Sequence, residues 1–358
     1  MPANLIKIFL PAVLAFAIGV VITPLFTHFF YKYRLWKRTP RKEDVDLPAS
    51  EEISEHFKKI HNGEEELKTP RPGGMIIWVS ILATTLLIYL ISKLFPNVAT
   101  IKLDFLSRSQ TWLPLFALFA GAIIGLTDDF LTIFVRKGVF RNGFPRSWMV
   151  VIVSAVGLTA GLWFFNKLGV TSIHIPFNGD WQLGTWIVPL FVLVFLGTYS
   201  SGVIDGIDGL AGGVLASAFA AFGTIAYFQD QLDLAALSAA IVGALLAFLW
   251  FNIPPARFYL GETGMMALVF ALPIIAFLTD QVLLLPIIGI LLVTTSLSSL
   301  IQITAKKIWG RERGKIFRVA PLHHHFEVLG WSRAKIVMRY WVVSVVAAVI
   351  GVIIALIS

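Results

Sequence analysis

The sequence predicts an all-α protein that crosses a membrane about ten times, and two observations lead to this fold class. Of the 358 residues, 57% are hydrophobic and only 14% are charged, whereas globular proteins carry about 25% charged residues. Apolar stretches of roughly 20 residues, long enough to cross a bilayer as helices, recur along the whole chain. Residues 1–358 are therefore interpreted as one integral membrane domain rather than as two or three soluble ones.

The first apolar stretch is interpreted as a retained membrane span. It follows Lys7 and ends in Phe29, Phe30 and Tyr31, not in the small residues of a signal-peptide cleavage site. The full set of predicted spans is 5–30, 74–95, 112–133, 148–168, 184–199, 210–228, 234–251, 264–279, 281–305 and 336–357.

The basic residues sort between the two sides of the predicted membrane. The net charge is +8, and all but five of the 29 Lys and Arg residues lie in or beside the odd-numbered loops. The positive-inside rule places these loops in the cytoplasm and both termini on the non-cytoplasmic side. The five exceptions are Lys7, Lys93, Lys102, Arg108 and Lys167.

Two of the predicted cytoplasmic loops are long. The loop 31–73 contains a charged stretch, 51–68, that is predicted to form a solvated or membrane-surface helix. The loop 306–335 is basic and contains three consecutive histidines. The chain has no cysteine, which excludes disulfides, thiolate metal sites and cysteine nucleophiles.

Two aspartate motifs lie on the predicted cytoplasmic face. In GLTDDF, Asp128 and Asp129 either end a span at the headgroups or need a nearby cation, because paired carboxylates beside a bilayer are costly to ionise. One of them could also act as a base. In VIDGIDGLAGG, Asp205 and Asp208 would share a face of the first helical turn if the sixth span begins there. A helix cap explains one aspartate but not both.

Two further motifs lie on the same face. In FNIPPARFYLGETG, Glu262 belongs either to a simple turn or to a Mg²⁺ site built from hard oxygen ligands. In PLHHHFEVLGW, the residues His323–His325 would point in different directions on a helix, so they suit hydrogen bonds to phosphate or sugar oxygens, or proton transfer, better than one metal ion. The PRPGG turn, residues 70–74, determines where the nearby Lys68 points. Together these residues predict chemistry on a phosphate ester.

The motifs together resemble those of the polyprenyl-phosphate sugar-1-phosphate transferases, and the resemblance covers nearly the whole chain. The uninterrupted histidine motif points to the branch that transfers phospho-N-acetylmuramoyl-pentapeptide. The resemblance implies transfer of this group from UDP-N-acetylmuramoyl-pentapeptide to undecaprenyl phosphate, giving lipid I and UMP with Mg²⁺. It also implies a multi-pass enzyme of the bacterial inner membrane that acts at the first membrane step of peptidoglycan synthesis, and it suggests a homodimer.

The same resemblance implies roles for individual residues. Asp128 or Asp129 would deprotonate or hold the lipid phosphate, and both are expected with Glu262 around the metal. His323 and His324 are expected to join these carboxylates in catalysis. The residues expected to contact the substrates are Lys68 near the nucleotide and phosphates, Asp205 and Asp208 beside the nucleotide sugar, Asn252, Tyr259 stacked on uracil, and His325.

Three departures from the family pattern are visible. Glu262 occupies the position of a metal-binding aspartate, and the extra methylene moves the carboxylate by on the order of 1.5 Å, a misplacement that can cost about 10²-fold in rate. Gly202 stands where the family has an asparagine. PRPGG replaces the usual PTMGG.

Three alternatives remain open. A related enzyme would transfer N-acetylglucosamine-1-phosphate or another sugar phosphate to the same lipid. An inactive homologue would bind lipid without turnover, and the departures at Gly202 and Glu262 favour it. A transporter would carry ionisable residues or broken helices near the bilayer midplane, whereas these acids lie at the ends of spans.

Overall fold

The computed structural model describes residues 2–36, 68–107 and 110–358 and shows an almost entirely helical protein. Apart from Lys68, the charged stretch 51–68 lies outside the described residues. The helices of the described part are α1 (Pro2–Lys32), α2 (Met75–Leu94), α3 (Val98–Leu103), α4 (Trp112–Phe134), α5 (Arg146–Lys167), α6 (Ile187–Ser200), α7 (Leu210–Phe228), α8 (Leu232–Asn252), α9 (Gly261–Leu278), α10 (Leu285–Ile288), α11 (Ile290–Arg313), α12 (Leu322–Val328) and α13 (Arg333–Ile357).

The helices agree with the predicted membrane spans. Within the described ranges, nine helical segments are each long and apolar enough to cross a membrane, and a bent pair makes a tenth if it forms one span. Each of the ten predicted segments overlaps one of these helices or the bent pair. The side on which the termini lie stays a prediction.

The ninth predicted span is the one that differs from a continuous helix. Residues 282–288 and 290–310 are bent by 79° relative to each other, with the break at Gly289. Gly289 has non-helical dihedral angles, and Pro286 lies in the turn before it, so the helical hydrogen-bond pattern is interrupted at this point. The predicted span over 281–305 therefore corresponds to a bent pair of helices.

Helices α4 and α9 pack in close backbone contact. Gly121 and Gly125 of α4 lie directly against the backbone of α9, where an added Cβ would overlap the carbonyl groups of Met266 and Glu262. Small residues four apart allow this approach, as is typical of helix packing in membranes. The pair runs antiparallel, so the last turns of α4 lie beside the first turn of α9.

Helix α9 lies at the centre of the bundle and is buried almost along its whole length. Its Phe277 stacks on Phe191 of α6 with ring centroids 3.5 Å apart, and Phe164 of α5 packs against the same ring at 4.6 Å. Helix α1 lies along α8, where Gly243 contacts the backbone of Ala12. The central position of α9 makes its first turn a rigid support for the residues around it.

A small β-hairpin in the loop between α5 and α6 was not predicted. Strands β1 (Ser172–Ile175) and β2 (Gly179–Gln182) pair antiparallel, and the N–H of His174 donates to the carboxylate of Asp280 at 3.2 Å. Four-residue strands are too short to show a period in the sequence. The protein is therefore helical with one added hairpin.

Candidate active site

The two adjacent aspartates of α4 contact different parts of the structure. Successive helical residues point about 100° apart, so the fold presents Asp128 to an open cleft and turns Asp129 towards α9. Asp129 is completely buried. Its carboxylate accepts hydrogen bonds from the backbone N–H groups of Thr263 at 2.9 Å and Glu262 at 3.3 Å, and Arg71 Nε donates to it at 3.4 Å. Asp129 therefore caps the N-terminus of α9 from a neighbouring helix.

Asp128 belongs to the cleft. One of its oxygens accepts the N–H of Phe144 at 2.5 Å, and the side chain lines the same cavity as Glu262. Gly143 allows this contact, because a Cβ there would crowd the Asp128 carboxylate. The structure thus brings together two of the three predicted metal ligands, Asp128 and Glu262, across the α4–α9 contact.

The second aspartate pair lies in a loop. Helix α7 begins at Leu210, as the predicted span 210–228 requires, so Asp205 and Asp208 precede it and do not share its first turn. Gly209 has a left-handed φ of +78°, which interrupts an α-helix between the aspartates and Leu210. The Ala256 N–H donates to Asp208 at 3.4 Å.

Asp205 is placed close to the acids and the arginine described above. Its carboxylate accepts the backbone N–H of Gly261. Although part of the residue is exposed, the surroundings of the carboxylate raise its pKa to about 7. Desolvation is the largest cause, Asp208 and Asp129 add to the shift, and Arg71 opposes it.

The three histidines lie on the short helix α12, where His323 and His324 share a neighbour and His325 points elsewhere. His323 is fully buried, and with His324 it abuts Gly206, where an added Cβ would meet both rings. His325 faces outward and accepts the N–H of Arg318 at Nδ1, 3.1 Å away. Burial, followed by the charge of Arg318, lowers the pKa of His325, so the neutral ring is favoured.

A buried glutamate orients the middle histidine. Glu327 is 2% exposed, and its carboxylate lies 2.5 Å from His324 Nδ1 and receives a hydrogen bond from Arg333 Nε at 2.9 Å. The arrangement directs the other side of the His324 ring to Gly206, between the two aspartates of its loop. Glu327 and Arg333 are functional candidates that the sequence analysis did not single out.

Asn252 joins two loops of the site. Its side chain is buried; the amide oxygen accepts the N–H of Gly209 at 2.8 Å and the amide nitrogen donates to the carbonyl of Phe258 at 2.9 Å. Both polar atoms therefore contact backbone, and the observed role is to hold the aspartate loop against the 253–260 segment. Direct contact with substrate stays a prediction.

The PRPGG turn packs against the segment that leads into α9. The Tyr259 N–H donates to the carbonyl of Pro70 at 2.8 Å, and Gly73 donates to the carbonyl of Tyr259 at 3.0 Å. Tyr259 is half-buried, and Lys68 is exposed near the start of the turn. The turn that carries Arg71 is thus tied to Tyr259 by backbone hydrogen bonds, and the Arg71 side chain reaches Asp129.

The cleft itself has a volume of about 800 Å³, and polar and apolar side chains line it together. Its ionisable residues are Asp128, Glu262 and Tyr199 and three cations: Arg146, Lys306 and Arg318. Most of its apolar side chains come from α5, α9 and α11, which belong to predicted membrane spans. Its apolar lining residues include Met149, Val150, Val203, Met265, Met266, Val269, Leu300 and Ile303.

The residues present fit a magnesium ion. Mg²⁺ is usually held by one or two carboxylates and completes its shell with water and substrate phosphates, and Asp128 and Glu262 provide such a pair. In the part of the chain that the structure describes, three or more His, Asp or Glu groups do not converge into a complete metal site. Asp129 is the less suitable of the adjacent aspartates because three protein donors surround it.

Comparison with known proteins identifies the family. A family model described as glycosyl transferase family 4 matches residues 111–280, the region from α4 to the end of α9. A relative from Geobacillus thermodenitrificans, named phospho-N-acetylmuramoyl-pentapeptide-transferase, is 32% identical over 358 residues and covers 98% of both chains. The chain belongs to the phospho-N-acetylmuramoyl-pentapeptide-transferase family. It is therefore a transferase.

Relatives with the same name come from distant organisms. The protein of Bacillus cytotoxicus is 32% identical, with 94% of each chain covered. The protein of Chloroflexus aggregans is 31% identical over 99% of this chain and 91% of its own. The match to the phospho-N-acetylmuramoyl-pentapeptide-transferase family therefore extends beyond residues 111–280 to the PRPGG turn and the histidine helix.

Sequence reasoning missed several residues of this family member's site. Arg71 gave a signal, since it is the one charged residue in the PRPGG departure, and Glu327 gave a weaker one as an acid beside the histidines. Tyr199 and Arg146 gave none, because each lies at the end of an ordinary apolar helix and only the folded bundle turns it into the cleft.

Proposed function

We propose that this protein transfers phospho-N-acetylmuramoyl-pentapeptide from its UDP-linked donor to undecaprenyl phosphate, producing lipid I and UMP. The observation that carries the proposal is the cleft in which Asp128 and Glu262 meet. Its lining combines carboxylates and cations with apolar side chains of membrane helices. A polar nucleotide sugar and a lipid with an anionic headgroup are the two kinds of substrate that such a cleft suits.

The net reaction forms one phosphorus–oxygen bond and breaks another. An oxygen of the lipid phosphate becomes bonded to the sugar-bearing phosphorus of the donor, and UMP leaves with the electron pair of the cleaved bond. Bound Mg²⁺ would neutralise phosphate charge during this exchange, with Asp128 and Glu262 as its protein ligands. Asp128 would also hold the lipid phosphate or take its proton.

The protein contributes positioning and charge. His324, oriented by Glu327, faces the aspartate loop and would hydrogen-bond phosphate or sugar oxygens there. Arg146, Lys306 and Arg318 line the cleft and would attract anionic substrates. Because phosphoryl transfer depends chiefly on positioning and electrostatic stabilisation, this arrangement supports the proposed chemistry.

Two other functions compete with the proposal. Transfer of N-acetylglucosamine-1-phosphate differs only in the donor, and Gly202, which lines the cleft without filling it, leaves room for a different sugar. Transport is less well supported: the span over 282–310 is broken, but residues 281–305 contain no Asp, Glu, Lys or Arg.

The decisive experiment measures UMP release by the purified protein in detergent with undecaprenyl phosphate. The muramoyl-pentapeptide and N-acetylglucosamine donors are supplied in parallel, each with Mg²⁺ and with EDTA. We expect Mg²⁺-dependent release from the muramoyl donor alone. Release from the N-acetylglucosamine donor alone would assign the protein to the related branch. If neither donor gives UMP release and the protein still binds a uridine nucleotide, the protein is an inactive homologue.

A further inference from the structure

Arg71 lies inside the carboxylate cluster, and nothing in the function described so far uses it. Its Nε donates to Asp129 at 3.4 Å, and its side chain is 28% exposed. Its electrostatic influence reaches three acids from three different segments: Asp129 of α4, Asp205 of the aspartate loop and Glu262 of α9. A single guanidinium thus stands among the groups that the chemistry requires.

The backbone around Arg71 is firmly held. Its N–H donates to the carbonyl of Leu35 at 2.9 Å, and the residues on either side pair with the backbone of Tyr259. Gly261, with φ of +65°, lies against the Arg71 carbonyl so closely that a Cβ would overlap it. The loop therefore presents the guanidinium from a fixed position, which reduces the entropy lost on binding a ligand.

We propose that Arg71 is a substrate-binding residue whose guanidinium receives the diphosphate of the nucleotide-linked donor. The inference rests on the proposed function, because it takes the donor to be a nucleoside diphosphate sugar. It adds a phosphate-binding residue to the part of the site where Asp129, Asp205 and Glu262 lie around Arg71.

The place of Arg71 along the site supports a diphosphate as its ligand. The turn that carries Arg71 pairs by backbone hydrogen bonds with Tyr259, a predicted contact of the nucleotide. The Arg71 guanidinium contacts Asp129, which also accepts the N–H of Glu262, the predicted metal ligand at the bond to be broken. A donor that spans from Tyr259 to Glu262 carries its diphosphate across the position of Arg71. Arginine suits this ligand because its planar guanidinium can donate two parallel hydrogen bonds to phosphate oxygens.

Charge balance gives a second argument. The acids Asp129, Asp205 and Glu262 would repel a diphosphate, and that repulsion must be offset locally for the donor to bind. Arg146, Lys306 and Arg318 line the cleft that Asp128 and Glu262 share, whereas Arg71 is the cation that acts on the buried Asp129. A cation at this point lets the donor approach before or without a metal ion.

A purely structural role for Arg71 makes a different prediction. If the guanidinium only neutralises Asp129, its loss destabilises the fold without changing the affinity for a diphosphate. If it binds the donor, its loss weakens the binding of UDP and leaves the binding of uridine unchanged. The two roles are separated by measuring affinity and thermal stability on the same variants.

The experiment titrates UDP and uridine into the purified full-length protein in detergent with EDTA, and repeats the UDP titration with Mg²⁺. The variants are Arg71→Gln and Arg71→Lys, with Arg136→Gln as a control on an exposed cytoplasmic-loop arginine. We expect Arg71→Gln to weaken UDP binding about tenfold or more in EDTA, Arg71→Lys to recover part of it, and the control to match the wild type.

Each outcome decides the inference. Unchanged UDP affinity in Arg71→Gln, with or without a lower melting temperature, would overturn it. Equal losses for UDP and uridine would also overturn it, because they would indicate a general distortion of the pocket. A wild type that binds UDP through Arg71 but releases no UMP from either donor would refute the proposed function and leave the binding role of Arg71 standing.

Discussion

At the scale of single residues, proximity in the site differs from proximity in the sequence. Asp128 and Asp129 are adjacent in the chain, yet one faces the cleft and the other caps α9. Glu262 is more than 130 residues away from Asp128 and shares its cavity. The residue types determine which chemistry is possible, and the direction of each side chain determines which residue can take part in it.

The metal role of Glu262 can be tested by two substitutions. Glu262→Ala removes the carboxylate, and we expect turnover to fall by at least about 10²-fold because the charge developing on the phosphates loses its stabilisation. Glu262→Asp keeps a hard oxygen ligand, and we expect activity equal to or above that of the wild type. UMP release measured against Mg²⁺ concentration checks both, and normal turnover in Glu262→Ala would disprove the assignment.

The orienting role of Glu327 is tested by Glu327→Gln, which keeps the size of the side chain and removes its charge. We expect kcat to fall about 10²-fold with little change in the KM for the donor, because His324 loses its orientation while the donor pocket stays intact. Lys335→Gln is the control, since Lys335 contacts Trp331 on the same segment. Equal kinetics in the wild type and Glu327→Gln would show that His324 needs no partner.

At the scale of elements, the contact of α4 with α9 assembles the site. Gly121 and Gly125 let the two backbones touch, and their antiparallel arrangement brings the end of one helix to the start of the other. The cap that Asp129 provides for α9 ties the same two helices by hydrogen bonds. Packing and capping therefore act at one place, where the carboxylates of the cleft also lie.

This contact predicts the effect of adding a methyl group. In Gly125→Ala the new Cβ would overlap the carbonyl of Glu262, a backbone atom that cannot rotate away. We expect a loss of about 1–3 kcal/mol in stability and a marked loss of activity, measured by thermal unfolding in detergent and UMP release.

Helix α6 offers the matched control for that substitution. Gly197 has open space where a Cβ would be built, so Gly197→Ala should be neutral or slightly stabilising, as expected for a helical glycine replaced by alanine. Similar melting temperatures for Gly125→Ala and Gly197→Ala would argue against the packing explanation.

At the scale of the whole molecule, the helices bring the ionisable residues of the sequence motifs to one end. The cleft, the aspartate loop, the PRPGG turn and the histidine helix all meet around the first turn of α9. The positive-inside rule predicts that this end faces the cytoplasm, where a nucleotide donor is made.

The predicted orientation can be tested directly because the chain has no cysteine. We expect Arg136→Cys, in a predicted cytoplasmic loop, to react with a membrane-impermeant maleimide only in inverted vesicles. Lys102→Cys, on the predicted outer side, should react only in right-side-out vesicles. Both positions are exposed in the structure. The reverse pattern would invert the topology and move the active site to the outer face.

The fold class followed from the sequence because a bilayer imposes a simple rule. A span needs about 20 apolar residues with its hydrogen bonds satisfied internally, and that rule is readable from composition and length. The bend at Gly289 and the four-residue strands were not readable, since both depend on a few residues whose dihedral angles are set by their neighbours.

The sequence by itself determined a helical membrane protein with about ten spans, four loops rich in ionisable groups, and a resemblance that named the family. Only the tertiary structure separated Asp128 from Asp129, showed that Asp205 and Asp208 lie in a loop, and placed Arg71 among the carboxylates. The physical reason is that spacing along the chain predicts the character of a segment, whereas the direction of a side chain depends on which helices pack together.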